Sequence, residues 1–295
     1  MAANRLEPFA QLTRLTVSEA APHVLHVELQ RPQKLNALDM VFWEEIRTCF
    51  EAIALDVDTR VVLLSGAGRC FCAGLDLGAA MAMFGGSSGT GQADSDVARK
   101  ALRVRAMGKA WQASFTSLEA CGKAVIGCVH GAVVGAGLEM ITACDVRFCT
   151  EDAYFQAAEV DVGLAADVGG LQRLPKIIGN QSLVRELALS GRRMAAPEAL
   201  QHGLVSHICA TKETMLAQGL ELAKTIAAKS PVATLGVKQF LNYARDHSVE
   251  DSLDYAITWN MSMLQGSDMA LAAASMLQKS TPGFSNLPPP TRSKL

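Results

Sequence analysis

The order in which strand-like and helix-like apolar patterns follow one another constrains the fold of this chain most strongly. Strand and helix patterns alternate up to about residue 160, and from about Asn180 helical patterns dominate while the strand signal mostly disappears. The predicted strands are Leu12–Val17, Val24–Leu29, Val61–Ser65, Ala124–Val129, Val146–Cys149 and Tyr154–Gln156. This order predicts an α/β core followed by a helical region.

Helical spacing of apolar residues is clear in Asp39–Ala54, where Phe42, Ile46 and Phe50 recur every four residues. The other predicted helices are Val97–Leu118, Ala136–Ala143, Gln181–Ser190, Ala196–His202, Lys212–Lys229, Val232–Arg245, Val249–Leu264 and Ser267–Gln278. The segment Phe84–Asp94 is rich in glycine and serine, which predicts a mobile loop.

Composition excludes several classes of protein. Apolar residues make up 49% of the 295 residues and charged residues 19%, below the ~25% typical of soluble domains, so a largely disordered chain is excluded. A net charge of −2 argues against a nucleic-acid partner, which would need a basic face. The apolar run Ala124–Leu138, which carries no formal charge, is too short to span a bilayer, for which about 20 apolar residues are needed.

The cysteines and histidines lack the spacing of disulfide or metal sites. None of the eight cysteines is in a C-x-x-C pair, most lie in apolar strings, and the six histidines form no H-E-x-x-H pattern. Free buried thiols behave as small apolar side chains. We therefore expect a reducing compartment, no disulfides and no metal site.

The two termini carry different information about localisation. Residues 1–8 contain no apolar stretch of the kind found in secretory signals, although they leave a weak transit peptide open. The last three residues, Ser293-Lys294-Leu295, match the address read by the peroxisomal import receptor, and the prolines before them favour an extended, exposed tail. The sequence therefore predicts a peroxisome or peroxisome-like organelle rather than a mitochondrion.

Three carboxylates stand in apolar surroundings. Glu139 is the only formally charged residue between Lys123 and Asp145, while Glu159 follows an apolar segment and Asp167 interrupts another. Burial disfavours the charged form of a carboxylate and raises its pKa, which suits it to proton transfer near neutral pH. The alternative is that each carboxylate is exposed to solvent or forms an ion pair, for instance with Arg147 or Arg173, and keeps an ordinary pKa. Three such residues within one short stretch favour a proton-transfer site.

Two glycine-containing turns, residues 71–76 and 131–137, offer backbone N–H groups. Small residues let a ligand approach the backbone closely, and two convergent donors can stabilise an enolate or a tetrahedral intermediate. Ordinary tight turns are the alternative. The chain contains no nucleotide-binding glycine motif and no G-x-S-x-G nucleophile turn. The turns therefore favour enolate chemistry over a hydrolase with a covalent nucleophile.

The motifs occur in an order that resembles the crotonase (enoyl-CoA hydratase/isomerase) superfamily. The matching segments are residues 31–38, 71–77, 130–140, 144–145, 171–175 and 178–179. The resemblance implies an α/β fold, a crotonase-like spiral of ββα turns over residues 1–200 with the acyl-CoA site. It also implies a C-terminal helical region over residues 201–280 that packs homotrimers or homohexamers, followed by an extended tail over residues 281–295.

An acyl-CoA thioester is the substrate that the resemblance implies, with no cofactor besides the coenzyme A it carries and no membrane span. The thioester oxygen would lie between the N–H groups of Leu75 and Ala136. The residues that would hold the substrate and its CoA are Lys34, Leu35, Ala37, Ala73, Gly74, Asp76, Leu77 and Gly137.

Residues 159–169 are similar to the dienoyl-CoA isomerases of this superfamily, which convert 3,5-dienoyl-CoA to 2,4-dienoyl-CoA. The similarity implies that Glu159 takes a proton from C2, that Asp167 gives one to C6, and that Glu139 polarises or hydrogen-bonds the site. The carboxyl groups of Glu159 and Asp167 would then face each other across one apolar pocket. Two residues depart from the pattern: Ala136 replaces the usual glycine, and Glu139 replaces the usual aspartate of these isomerases. Enoyl-CoA hydratase is therefore one alternative, and a non-catalytic acyl-CoA-binding or scaffold protein is another.

Overall fold

A six-stranded sheet runs through the centre of the molecule, in a computed structural model that describes residues 5–84 and 96–288. Its strand order is β1-β2-β3-β4-β6-β9; β1 pairs antiparallel with β2, and the other neighbours pair in parallel. These strands are β1 (Leu15–Ala21), β2 (Val24–Leu29), β3 (Val61–Gly66), β4 (Ala124–Val129), β6 (Val146–Thr150) and β9 (His207–Cys209).

A second, three-stranded sheet contains β5 (Ala132–Val134), β7 (Tyr154–Gln156) and β8 (Met194–Ala195), in the order β5-β7-β8. Single β-bridges between Leu38 and Leu75 and between Cys72 and Val133 connect the loops beside it. The segment that leaves β4 thus passes directly into the small sheet, which brings distant turns together at one edge.

The helices are interspersed with the strands along the chain. They are α1 (Met40–Leu55), α2 (Leu77–Phe84), α3 (Val97–Ala120), α4 (Ala136–Ile141), α5 (Gly170–Ile177), α6 (Gln181–Ser190), α7 (Ala196–Gln201), α8 (Lys212–Ala227), α9 (Pro231–Tyr243), α10 (Val249–Met263) and α11 (Ser267–Gln278). None of the helices in the described ranges combines the length and the apolar character needed to cross a membrane.

Apolar layers cover both faces of the large sheet. Every residue of β3 is buried, which explains why the sequence of this strand begins with the apolar run Val61–Leu64. On one face lies a core that includes Phe42 and Phe50 of α1 and Phe115 of α3. On the other face, Met215 of α8 packs with Leu63 of β3. Helix α1 begins where Asp39 accepts the N–H of Phe42, a capping bond of 2.9 Å.

The first predicted strand lies at the wrong position, because β1 begins three residues later than expected. The N–H groups of Thr13 and Arg14 donate to the carboxylate of Glu45, at 2.8 and 2.7 Å, and are therefore withdrawn from strand pairing. The ladder with β2 begins only at Leu15, which pairs with Leu29. The strands predicted at Val24–Leu29 and Ala124–Val129 are confirmed at both ends.

The sequence did not predict α2, α5, β5, β8 or β9. The last two lie in the part of the chain where the strand signal fades, because strands of two or three residues are too short to show alternation. Strand β9 extends the large sheet beside β6, and α8 packs against that sheet. The first two elements after residue 203 are therefore part of the core, and the helices α9–α11 follow them. The predicted mobile loop, from residue 85 onwards, and the Ser293–Leu295 tripeptide lie outside the described residues.

Candidate active site

The two glycine-containing turns lie against each other. Strand-like bonds hold them: the N–H of Cys72 donates to the carbonyl of Ala132 at 3.1 Å, and that of Val134 to the carbonyl of Cys72 at 3.0 Å. Gly74 has a φ of +92°, and a Cβ there would lie 3.0 Å from the carbonyl oxygen of Val134 and 3.7 Å from the Cα of Gly135. Glycine is thus required at position 74 by both the backbone conformation and the close approach of the second turn.

Two backbone N–H groups on these turns keep their donor capacity. In the Leu38–Leu75 bridge, the N–H of Leu38 donates to Gly74 and that of Asp76 to Leu38, so Leu75 itself does not donate. Ala136 is the first residue of α4, where an N–H has no partner within the helix. Within the described ranges neither N–H group has an acceptor. The predicted pair of donors is therefore available for a ligand oxygen at the junction of the two turns.

Glu139 lies on α4, one turn after Ala136, and only 4% of it is exposed. Its Oε2 accepts the N–H of Gly170, the first residue of α5, at 2.5 Å. Burial raises the pKa of Glu139 to about 8; the N–H of Gly170 opposes this rise, and the charges of Glu159 and Asp167 add to it. The raised pKa predicted for this residue is thus found.

Glu159 opens the 3-10 turn Glu159–Val162 that follows β7 and is half-buried. Its Oε1 would lie 3.1 Å from a Cβ placed on Gly135, so the carboxyl group is at the turn that carries Ala136. Burial raises the pKa of Glu159, whereas a side-chain hydrogen bond with Glu139 lowers it. The two glutamates therefore meet beside the free N–H groups.

Asp167 differs from the expectation, because it is exposed and does not lie in an apolar pocket. It lines a polar cleft of about 590 Å³ between α3, α5 and the end of α9, and its carbonyl oxygen accepts the side-chain amide of Gln112 at 2.7 Å. The loop between the 3-10 turn and α5 runs over the surface, which explains the exposure. The charge of Asp167 nevertheless raises the pKa of both Glu139 and Glu159.

The ion pairs considered as alternatives for the three acids do not form among the described residues. Arg173 pairs with Glu119 at 2.7 Å. The guanidinium of Arg147 donates to the carbonyl groups of Cys144 and Leu204, at 2.5 and 2.6 Å. Glu139, Glu159 and Asp167 therefore form no ion pair with an arginine in the part of the chain that the structure describes.

The segments predicted to hold CoA run side by side. The N–H of Ala73 donates to the carbonyl of Leu35 at 3.0 Å, so residues 34–37 lie along residues 73–77. Lys34 is exposed at the end of a short 3-10 turn, and Leu77 is exposed at the start of α2. Gly137 packs so closely on Cys72 that a Cβ would lie 2.8 Å from its Cβ. The structure thus brings the predicted substrate-binding residues to one edge of the small sheet.

Sequence reasoning missed Arg31 as a residue that supports the site. Its guanidinium donates to the carboxylate of Asp76 at 2.7 Å and to the carbonyl of Ala37 at 2.9 Å. The hydrogen bond from Arg31 to Asp76 lowers the pKa of Asp76. Asp76 in turn accepts the N–H of Ala79 in the first turn of α2. Arg31 therefore ties the loop of residues 34–37 to the turn that carries Leu75.

Asn36 and Gly170 were also missed. Asn36 is fully buried, and its amide donates to the carbonyl groups of Ala67, Cys70 and Phe71. An asparagine between the apolar neighbours Leu35 and Ala37 was the available signal. Gly170 was not predicted as a site residue because α5, the helix that begins with it, was not predicted.

Comparisons with known proteins give consistent matches. The sequence profile described as "Enoyl-CoA hydratase/isomerase" matches residues 19–285. The chain is 52% identical over 255 residues to the human "Delta(3,5)-Delta(2,4)-dienoyl-CoA isomerase, mitochondrial", covering 86% of this chain and 76% of that protein. It is 40% identical over 264 residues to the peroxisomal protein of that name from Arabidopsis thaliana, covering 90% and 93%.

Solved structures agree with the sequence comparisons. A crystal structure of enoyl-CoA hydratase from Bacillus anthracis superposes with a TM-score of 0.82 at 27% identity, covering 92% of this chain and 99% of that one. A putative enoyl-CoA hydratase from Streptomyces coelicolor gives a TM-score of 0.82 at 25% identity, covering 93% and 95%. The arrangement of sheets and helices described above is therefore one that solved hydratases share.

Proposed function

The chain belongs to the enoyl-CoA hydratase/isomerase family, and from this premise we propose that it isomerises 3,5-dienoyl-CoA to 2,4-dienoyl-CoA in the β-oxidation of unsaturated fatty acids. One observation carries the proposal. A third acid, Asp167, lies on the loop that ends at Gly170, whose N–H donates to the carboxyl group of Glu139. A reaction that removes a proton at one carbon and adds one at a distant carbon needs two separate acid–base groups.

The proposed reaction passes through an enolate and transfers two protons. The carboxylate of Glu159 takes a proton from C2, and the C2–H electrons form C1=C2 while the carbonyl pair moves onto the thioester oxygen, whose charge the N–H groups of Leu75 and Ala136 stabilise. When the carbonyl re-forms, the C1=C2 pair moves to C2=C3 and the C3=C4 pair to C4=C5, and the C5=C6 pair takes a proton from the carboxylic acid of Asp167 to form the new C6–H bond. Proton exchange with solvent then returns Glu159 to the carboxylate and Asp167 to the acid.

Substrate binding is proposed to use the paired segments at the edge of the small sheet. Residues 34–37 and 73–77 would hold the CoA portion, and Gly74 and Gly137 leave room for close approach of the thioester. The CoA is part of the substrate, and the proposed proton transfer requires no further cofactor.

Hydration of an enoyl-CoA is the second candidate, and one observation favours it. Glu139 and Glu159 meet beside the free N–H groups, and two facing glutamates could hold a water molecule against the substrate. Hydration gives no role to Asp167, whereas isomerisation uses it as the second acid. We therefore place isomerisation first.

A comparison of two substrates tests the proposal. Formation of the conjugated diene from 3,5-octadienoyl-CoA is followed by ultraviolet absorbance, and hydration of crotonyl-CoA is followed by loss of its absorbance. We expect rapid turnover of the dienoyl substrate. Rapid hydration of crotonyl-CoA with no turnover of the diene would establish the hydratase alternative, and inactivity towards both would favour a binding or scaffold protein.

Assembly into a homotrimer or homohexamer is proposed from the surface of the C-terminal helices. Apolar side chains are exposed on α9, α10 and α11, including Leu241, Ile257 and Leu277. Extended apolar surface of this kind is typical of protein–protein contacts. Light scattering coupled to gel filtration gives the mass, and a monomer at micromolar concentration would contradict the proposal.

Peroxisomal localisation is proposed from the tripeptide Ser293-Lys294-Leu295, and the import receptor would be the partner that reads it. The Arabidopsis thaliana relative is named peroxisomal, whereas the mouse and human relatives are named mitochondrial. Immunofluorescence imaging of the untagged full chain, in which both termini are free, tests this. Loss of peroxisomal signal when Leu295 is deleted is expected, and mitochondrial signal from both forms would contradict it.

A further inference from the structure

We propose that the polar cleft beside Asp167 binds the distal end of the acyl chain and selects substrates that carry a second carboxylate at that end. Such substrates are the mono-CoA thioesters of 3,5-dienedioic acids. The inference rests on the proposed isomerisation and names the substrate class of that reaction.

The cleft borders the segment that contacts Glu139. Asp167 and Gly169 line it, and the next residue, Gly170, donates its N–H to the carboxyl group of Glu139. A Cβ on Gly169 would lie 1.8 Å from Nη1 of Arg173, so this guanidinium lies against the same stretch of backbone. In the proposed reaction Asp167 protonates C6, and the chain beyond C6 therefore continues into the space that Asp167 lines.

Cations outnumber acids in the lining of the cleft. The charged lining residues are the cations Lys109, Arg173, Lys176 and Arg245 and the acids Glu119, Asp167 and Asp246. Asp167 enters the proposed reaction as a neutral carboxylic acid, so during turnover four cations face two carboxylates. A concave surface with this balance of charge attracts an anion.

The ion pairs within the cleft leave donors unused. Glu119 is shared between Arg173 and Arg245, at 2.7 and 2.6 Å, so one carboxylate serves two guanidinium groups. The hydrogen bonds of Arg173 to other described side chains come from Nε and Nη2, and Nη1 has no acceptor among these residues. Lys109 is exposed on α3 and forms no ion pair with a described carboxylate. A carboxylate that enters the cleft would therefore meet an unpaired ammonium and a free guanidinium N–H group.

An alkyl chain end is a poor occupant of this cleft. It would displace water from the ammonium and guanidinium groups without replacing the hydrogen bonds of that water. A carboxylate can instead accept from Lys109 and from Nη1 of Arg173, and such charge-assisted hydrogen bonds are stronger than neutral ones. The lining thus favours a chain that ends in a carboxylate over one that ends in a methyl group.

Pairs of substrates of equal length test the inference. The 3,5-dienoyl-CoA and the mono-CoA thioester of the 3,5-dienedioic acid are compared at eight, ten and twelve carbons, with kcat/KM taken from the ultraviolet absorbance of the conjugated product. The measurements use wild type, Lys109→Glu and the control Lys100→Glu. Lys100 is exposed on the same helix and lies two and a half turns earlier, on the opposite face.

We expect wild type to prefer the diacid thioester by about ten-fold in kcat/KM at one or more of these lengths, because hydrogen bonds to charged groups are among the strong ones. Lys109→Glu should remove this preference, and Lys100→Glu should retain it. Raising the salt concentration from about 0.02 to 0.5 M should weaken the preference of wild type, since salt screens an exposed ammonium. The salt dependence decides if Lys109→Glu does not fold.

Equal or better use of the monoacid substrate by wild type at every length would overturn the inference, and this is also the result expected of a cleft that binds only separate anions. A diacid preference that survives both Lys109→Glu and high salt would overturn it as well. Turnover of the monoacid substrate without a diacid preference refutes this inference alone, whereas no turnover of either substrate refutes the isomerase proposal.

Discussion

The backbone N–H of Gly170 donates to Oε2 of Glu139 across 2.5 Å, and this bond joins the first residue of α5 to the buried acid of α4. A Cβ at position 170 would lie 2.6 Å from the Cγ of Glu139, so only glycine allows the contact. The loop that ends at Gly170 carries Asp167. This hydrogen bond therefore connects the buried Glu139 to the segment that carries the exposed Asp167.

The stability of the protein should depend on pH through Glu139. Its pKa is raised to about 8 in the folded chain, from an ordinary value of 4.5, so the unfolded chain binds fewer protons between these pH values. The free energy of unfolding should therefore fall as pH rises from about 5 to 8, with a limiting slope of about 1.4 kcal/mol per pH unit. Glu139→Gln removes this dependence, so its stability relative to wild type should increase with pH. Urea unfolding at pH 5, 6.5 and 8 measures the difference, and a constant difference would contradict the assignment.

Asp167→Asn should abolish isomerisation, because an amide cannot deliver the proton to C6. A loss of about 10²–10⁴-fold in kcat is expected for removal of a general acid. Any hydration of crotonyl-CoA should be spared, because that reaction does not use C6. Asp161→Asn is the matched control on the neighbouring exposed turn. Equal survival of both activities in Asp167→Asn would show that Asp167 has another role.

Gly74→Ala should damage the oxyanion site through the backbone. Its φ of +92° is strained for alanine by about 1–3 kcal/mol, and its Cβ would lie 3.0 Å from the carbonyl of Val134. Displacement of the Leu75 N–H should lower kcat by about 10²–10³-fold, the typical effect of losing one donor. Gly179→Ala is the control, since a Cβ there meets no atom within 4 Å. Unchanged kcat in Gly74→Ala would argue against a catalytic role for this turn.

Lys238 supports the fold rather than the chemistry. Its buried ammonium donates to the carbonyl groups of Leu118 and Lys123 and to the carboxylate of Asp145, at 2.8–2.9 Å, and joins α9 to the start of β4. Lys238→Met removes the charged donor from all three acceptors, although Asp145 keeps the N–H of Val125, and should lower the free energy of unfolding by about 3 kcal/mol or more.

The exposed Lys224→Met is the control for Lys238→Met, and it should cost less than about 1 kcal/mol because surface ion pairs contribute little. Urea unfolding curves at constant pH give both values. Equal effects of the two substitutions would show that the buried contacts of Lys238 contribute little.

An element of the fold could be predicted where its own residues show the apolar spacing of a strand or a helix. The apolar run of β4 and the four-residue spacing in α1 were sufficient to place both elements. Strand β9 could not be placed, since three residues carry no period, and its position depends on pairing with β6. The start of β1 depends on Glu45, which is thirty residues away and takes the N–H groups that would otherwise extend the strand.

The candidate site was predictable to a similar extent. The isolation of Glu139 in an apolar run pointed to its burial, and the raised pKa follows from that burial. The same argument misplaced Asp167, because apolar neighbours in sequence do not bury a residue whose loop crosses the surface. The contact between Gly170 and Glu139 joins residues thirty-one positions apart, and local sequence carries no record of such a contact.

The central claim is tested most directly by the structure of the product. Purified protein is incubated with 3,5-octadienoyl-CoA, and the acyl chain is identified by mass spectrometry and by proton NMR. We predict 2,4-octadienoyl-CoA of unchanged mass, with the vinyl signal at C6 replaced by a methylene. Unchanged substrate, or a product heavier by one water molecule, would contradict the isomerase assignment.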